Sequence, residues 1–305
     1  MGFRRYVATG RGGAGAALTV LGASLAGGVI TGAIEAVVDR WFSLLVLFPL
    51  IIGGVAGGLA AWMIGRHRLR APMLALVLGA AGGAAGYITV HAINYVQFRS
   101  ELTAGDAGSA DQIADQIDEL LVQSTGHAGF RGYLELAAQQ GVSIKRMGAS
   151  DKGIALSGIG AWILWLAELA FAAGMAGFIA HGRANEPFCE ECEVWFGLTQ
   201  RIATGGVGTS GARTELISAL QNGDFARAAA VLVVPPAKST FLLKSTACPR
   251  CSAECYCTLE RVTRKKKGDR VKTLESWLIT KAEMAQLCDA IARATARPTA
   301  VATQI

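Results

Sequence analysis

Cysteine is missing from the first 188 residues of this 305-residue chain. All seven cysteines (Cys189, Cys192, Cys248, Cys251, Cys255, Cys257, Cys288) follow the last long apolar run. That excludes an extracytoplasmic loop stapled by disulfides and favours a reduced, metal-binding tail in the cytosol. Charge is scarce as well: Asp, Glu, Lys and Arg make up 17% of the chain, against about a quarter in a soluble domain. The shortfall is concentrated in a few runs, which is the pattern of a membrane protein. Histidine is limited to His67, His91, His127 and His181, with no His-Glu-x-x-His and no nucleophile beside a base. An enzyme would lack its parts, so none is expected.

Four apolar runs are present: Ala14 to Ile34, Trp41 to Gly65, Ala71 to about Ile93, and Ile154 to Ala180. The last would rise roughly 40 Å as a helix, enough to cross a hydrocarbon core of about 30 Å. The expected fold is an α-helical integral membrane protein. Residues 1–96 hold an N-terminal tail and helices one to three, 97–153 a small helical extracytoplasmic cap, 154–182 the fourth helix and 183–305 a cytosolic α+β module. Trp41 and Trp62 lie about 31 Å apart along a helix, one at each interface. Small residues recur four apart at Gly28/Gly32, Gly53/Gly57, Gly54/Gly58, Gly79/Gly83, Gly82/Gly86 and Ala173/Gly177. Such pairs let helix backbones approach closely in lipid, within one chain or between two copies in a homo-oligomer.

Short loops predict the orientation. Arg4, Arg5 and Arg11 precede the first run, and Arg66, His67, Arg68 and Arg70 separate the second from the third, whereas Asp39 and Arg40 nearly cancel. The positive-inside rule then places both termini in the cytosol, in a bacterial inner (plasma) membrane. Cleavage of a signal peptide near Ser24 and Ala26 is the alternative, but the apolar run continues to Ile34. The net charge of +6 follows from basic cytosolic flanks and does not require nucleic acid. Arg264 to Lys267 reads as a solvated hairpin turn within reach of anionic headgroups, with no interleaved aromatics for bases to stack on. The segment 97–152 carries eight acids against five bases. Its Gly, Ala, Ser and Asp linker leads to one helix near Asp111, carrying Ile113, Ile117, Leu120 and Leu121, and to a second over Phe130 to Gln140 that stops at Gly141.

After the fourth run the pattern predicts helices over Ala212–Gln221 and Asp224–Leu232, strands near Thr240–Thr246, Thr258–Thr263 and Thr273–Ile279, and a closing helix over Lys281–Ala294. Gly10, Gly12, Gly15 and Gly206, Gly208, Gly211 fit a dinucleotide spacing, but no strand is predicted before either, so both read as loops. Cys189-x-x-Cys192 and Cys248-x-x-Cys251 are two knuckles that together supply four thiolates, the donor set of a closed, structural zinc site. On these four residues, and on the run Cys248-Pro249-Arg250-Cys251 between β-patterned segments, the stretch from about 188 to 280 resembles the zinc-ribbon group. The resemblance implies a zinc-ribbon-like module with one structural Zn. Two features depart from that group: a helical insert separates the knuckles, and Glu193 and Ser252 stand where glycine is common. Cys255 or Cys257 replacing a ligand stays open, as does a redox disulfide between Cys189 and Cys192.

Glu168 lies inside the fourth run, where an acid costs about 2.5 to 3.5 kcal/mol on insertion scales and faces the bundle interior. Glu35, His91 and Asn94, near the outer ends of their spans, complete a candidate polar cluster, with Glu168 some turns deeper. The functional expectation is a scaffold, sensor or assembly factor whose module binds a protein partner beneath the bilayer. The alternative is a transporter or channel component using Glu168.

Overall fold

The computed structural model describes residues 3–39, 47–103, 110–144, 154–235, 237–251, 254–266 and 268–296. Arg40, Trp41, the linker 104–109, Asp151, Ser252 and Lys267 lie outside them, and so does the interfacial pairing expected for Trp41. In chain order the elements are β1 (Arg4–Arg5), α1 (Ala14–Val38), α2 (Leu47–His67), α3 (Pro72–Thr103), α4 (Ala110–Thr125), α5 (Gly129–Gln140), β2 (Val142–Ile144), β3 (Ile154–Leu156), α6 (Ile159–Ala184), β4 (Phe188–Cys189), β5 (Val194–Trp195), β6 (Thr199–Gly205), α7 (Ser210–Gln221), α8 (Phe225–Leu232), β7 (Ser239–Ala247), β8 (Glu254–Thr263), β9 (Arg270–Thr280) and α9 (Lys281–Ala296). Contacts divide the chain into two units, Thr9–Asn185 and Met1–Ala8 with Glu186–Ile305.

In the first unit α1, α2, α3 and α6 are each long and apolar enough to cross a membrane. Helix ends differ from the hydropathy reading, most of all at two places. α3 continues past Ile93 to Thr103, because no Gly or Pro interrupts 92–103. α6 begins at Ile159, not Ile154, because Gly158 adopts φ 57 and Ile154–Leu156 pairs as a strand with Val142–Ile144. That hairpin adds β structure to a segment expected to be helical only.

Backbone contact holds the four helices together. A side chain on Gly28 or Gly32 would collide with the backbone oxygens of Gly82 or Gly86. A Cβ on Gly53 would stand 2.5 Å from the Ala172 oxygen, and one on Gly79 2.6 Å from that of Ala176. Five of the six predicted small-residue pairs therefore join helices of one chain. Gly54 and Gly58 face open space. Ser24, fully buried, reaches the backbone oxygens of Ala56 and Gly79 at 3.4 Å each.

The α4–α5 cap rests on the extension of α3. Ile117 and Leu121 pack with Phe98 and Leu136, and Tyr95 and Phe98 stack against Tyr133. His127 Nδ1 lies 2.9 Å from Glu135 Oε2, and Asp118 accepts a hydrogen bond from the Gly129 N–H.

In the second unit a five-stranded antiparallel sheet runs β1-β9-β8-β7-β6. One face is covered by α7, α8 and α9, with Leu216, Leu220, Phe241, Leu243, Leu259, Trp277 and Leu287 fully buried between the layers. The N-terminal segment, grouped with the first span in the sequence reading, is an edge strand of this sheet. Arg4 pairs with Leu278 and Arg5 with Trp277, Arg4 bonds Glu254 at 2.6 Å, and Phe3 packs edge-on to Trp277 at 5.5 Å. Truncating a buried Phe typically costs about 3 to 5 kcal/mol. Phe3→Ala is accordingly expected to lower the thermal midpoint of the module by several degrees in the full-length protein, and an unchanged midpoint would show that Phe3 is not part of its core.

Candidate metal centre

The two knuckles meet although 55 residues separate Cys192 from Cys248. The first knuckle closes as a short hairpin in which Phe188 pairs with Trp195 and Cys189 with Val194. β6 starts soon after, at Thr199, and runs antiparallel to β7, which ends one residue before Cys248; the register Thr199 to Thr246 fixes the meeting point. Gly197 N–H donates to the Ala247 oxygen at 3.1 Å, and Arg250 Nη1 to the Cys192 oxygen at 3.5 Å. The helical insert α7–α8 leaves from the far end of the β6–β7 ribbon, so it lengthens the sequence between the knuckles without separating them.

The sulfurs of Cys189, Cys192, Cys248 and Cys251 all lie within 4.8 Å of one another, and Cys189 Sγ is 3.8 Å from Cys251 Sγ. A tetrahedral ion with metal–sulfur bonds of about 2.3 Å has sulfur–sulfur edges of about 3.8 Å, whereas a disulfide needs about 2.05 Å. The donor set therefore fits one metal ion, and the cysteines are free thiols. Glu193, where glycine is common in the ribbon group, adopts φ 51. The knuckle demands a left-handed residue there, and here a glutamate supplies it.

Crowded sulfurs cannot all ionise alone. Burial works against a thiolate at Cys248, but the N–H groups of Cys251 and Arg250 donate to its sulfur and bring its pKa down to about 7. Hydrogen bonding to Cys251, with burial and the other sulfurs, pushes Cys192 up to about 12, and burial raises Cys189. A cation held by the four sulfurs would oppose these upward shifts by stabilising every thiolate at once.

Cys255 and Cys257 are not part of the cluster. They alternate with Tyr256 and Thr258 on β8, face the helices and are buried in the core beside Leu259, with Cys288 packed against them. Burial pushes the Cys257 thiol up to about 12. The glycines Gly206, Gly208 and Gly211 do follow a strand, β6, contrary to the sequence reading. That strand is antiparallel to β7, so this is not a dinucleotide-binding βαβ unit. Gly206 (φ +78) and Gly208 instead let the chain pass Val231 and Ser239 closely, and Thr209 caps α7 by accepting from the Ala212 N–H.

In the bundle, Glu35, His91, Asn94 and Glu168 line one cavity of about 210 Å³ together with Asp39, Tyr87, Tyr133 and Trp165. Tyr87 donates to Glu168 Oε2 at 2.8 Å, and His91 stacks edge-on between Tyr87 and Trp165 at 4.9 and 5.3 Å. Tyr87 and Trp165 were not singled out from sequence, although Tyr87 stands one turn from His91 and Trp165 one turn from Glu168.

The fold is thus mostly helical, four apolar helices of membrane-spanning length joined to a sheet module with a four-cysteine site. A scan of protein-family models and searches of curated proteins and solved structures matched nothing to the chain. Two outcomes test the ligand set. Cys248→Ser is expected to lose the bound metal, while Cys257→Ala keeps one ion per chain by elemental analysis; metal loss from both would reassign the ligands. Because binding displaces thiol protons, affinity should weaken steeply from about pH 8 to about pH 6, measured by competition with a chromophoric chelator; a flat profile would contradict thiolate ligation.

Proposed function

We propose that this chain is an integral membrane scaffold, sensor or assembly factor whose C-terminal module is folded around one structural zinc and binds a protein partner. The observation that carries the reading is the closed set of four sulfurs. It leaves no coordination position for substrate, so the ion serves structure, with a folding contribution of about 10 to 16 kcal/mol. Four thiolates in a chain with no other thiol before Cys189 suit zinc in a reducing compartment. The positive-inside rule supports a cytosolic module and an outward α4–α5 cap. The even number of spans agrees with a module sheet that takes its edge strand from the N-terminal side. The module also offers an apolar hollow of about 680 Å³ between α8 and α9, lined by Ala230, Val233, Val234, Pro235, Ala290 and Arg293, a surface suited to an apolar side chain of a partner. No enzymatic activity is assigned.

A second reading, transport through the bundle, draws on the cavity around Glu168. Against it, the one fully buried polar side chain in the described part of the bundle is Ser24, and a polar route across would need more. Capture of a partner by full-length protein in detergent is expected to require zinc and to fail for Cys248→Ser and for Ala230→Arg, the latter still folded and metal-loaded. Capture that survives both changes, together with flux in proteoliposomes abolished by Glu168→Gln, would reverse the order of the two readings.

A further inference from the structure

One end of the bundle is uniformly basic. The start of α1, the end of α2, the start of α3 and the end of α6 converge there, tied by Arg70 N–H to the Arg11 oxygen at 2.9 Å and by His181 Nδ1 to the Pro72 oxygen at 3.1 Å. Arg11, Arg66, His67, Arg68, Arg70, His181 and Arg183 lie in these segments, and residues 9–14, 64–73 and 180–185 contain no acid. Where α2 and α6 end, a hollow of about 460 Å³ opens, walled by Ala61, Trp62, Gly65, Arg66 and Arg183. Gly65 lets a guanidinium into that wall, since a Cβ there would stand 2.9 Å from Arg183 Nη2. On the other side the Arg66 guanidinium lies over the Trp62 ring at 5.7 Å, and the indole is 56% exposed.

We propose that this hollow binds the phosphate of an anionic membrane lipid. The inference rests on the membrane-spanning reading of the four helices. Guanidinium groups present planar pairs of N–H donors that match phosphate oxygens, which a single ammonium does not. An exposed tryptophan at a helix end marks the headgroup level. Below it the lipid-side surface is apolar, with Leu59, Val55 and Ile51 exposed on α2 and Met175, Phe178 and Phe171 on α6, as acyl chains require. Arg66 and Arg183 also occupy the last turns of their helices, where a cation complements the helix dipole. That role alone needs neither an open hollow nor an exposed indole bearing one of the cations.

The test uses full-length protein in detergent, with lipid binding read by native mass spectrometry. Phosphatidylglycerol is expected to bind in preference to phosphatidylcholine. Arg66→Gln and Arg183→Gln should each weaken it about fivefold, Arg66→Lys should restore less than full binding, and Arg131→Gln at the opposite end should change nothing. Equal binding of the two lipids, equal loss from Arg131→Gln, or displacement of lipid by millimolar inorganic phosphate would overturn the assignment. Arg66 is exposed, so its variant tests the site even if Arg183→Gln disturbs α2–α6 packing. Protein recovered folded without detergent would instead overturn the membrane reading itself.

Discussion

Four sulfurs that repel one another as thiolates are brought within 4.8 Å of one another by an antiparallel ribbon of the C-terminal module. β6 and β7 bring the chain back to its own starting point, so the register between Thr199 and Thr246 is what converts two distant Cys-x-x-Cys turns into one site. Without a cation, burial raises the Cys189 thiol, and hydrogen bonding to Cys251 with burial raises that of Cys192. With one, the sulfurs would link β4–β5 directly to the β7–β8 turn.

The bundle obeys a different constraint. Lipid tails are as apolar as leucine, so helices gain little from burying apolar surface against each other and depend on close backbone contact. Gly28, Gly32, Gly82 and Gly86 provide it between α1 and α3, and Gly53, Gly57, Gly79 and Gly83 receive Ala172 and Ala176 of α6. Apart from Ser24, buried within the seam, the polar cavity around Glu168 and Tyr87 lies near one end, while the other end carries the arginines. The bundle is therefore polarised along its axis, acids and aromatic cavity at one end and guanidinium groups at the other.

Much of this was legible from residues alone. Apolar length identified the four helices long enough to span a membrane, knuckle spacing identified the four cysteines that meet, and period-two runs located β7, β8 and β9 to within a few residues. What escaped were pairings between distant segments. Nothing near Phe3 and Arg4 signals a strand, because their partners Trp277 and Glu254 lie at the other end of the chain. Hydropathy could not see that Gly158 breaks the fourth run, since Ile154–Leu156 is as apolar as the helix that follows. The role of Cys255 and Cys257 was readable in principle, because with Leu259 they occupy every second position of a strand, the pattern of an inward face.

We propose that one ion is bound by these four sulfurs and no other donor. X-ray absorption at the zinc edge of the full-length protein tests it most directly. A single shell of four sulfurs at about 2.3 Å is expected; a shell containing nitrogen or oxygen, or a protein that is folded and free of metal, would contradict it.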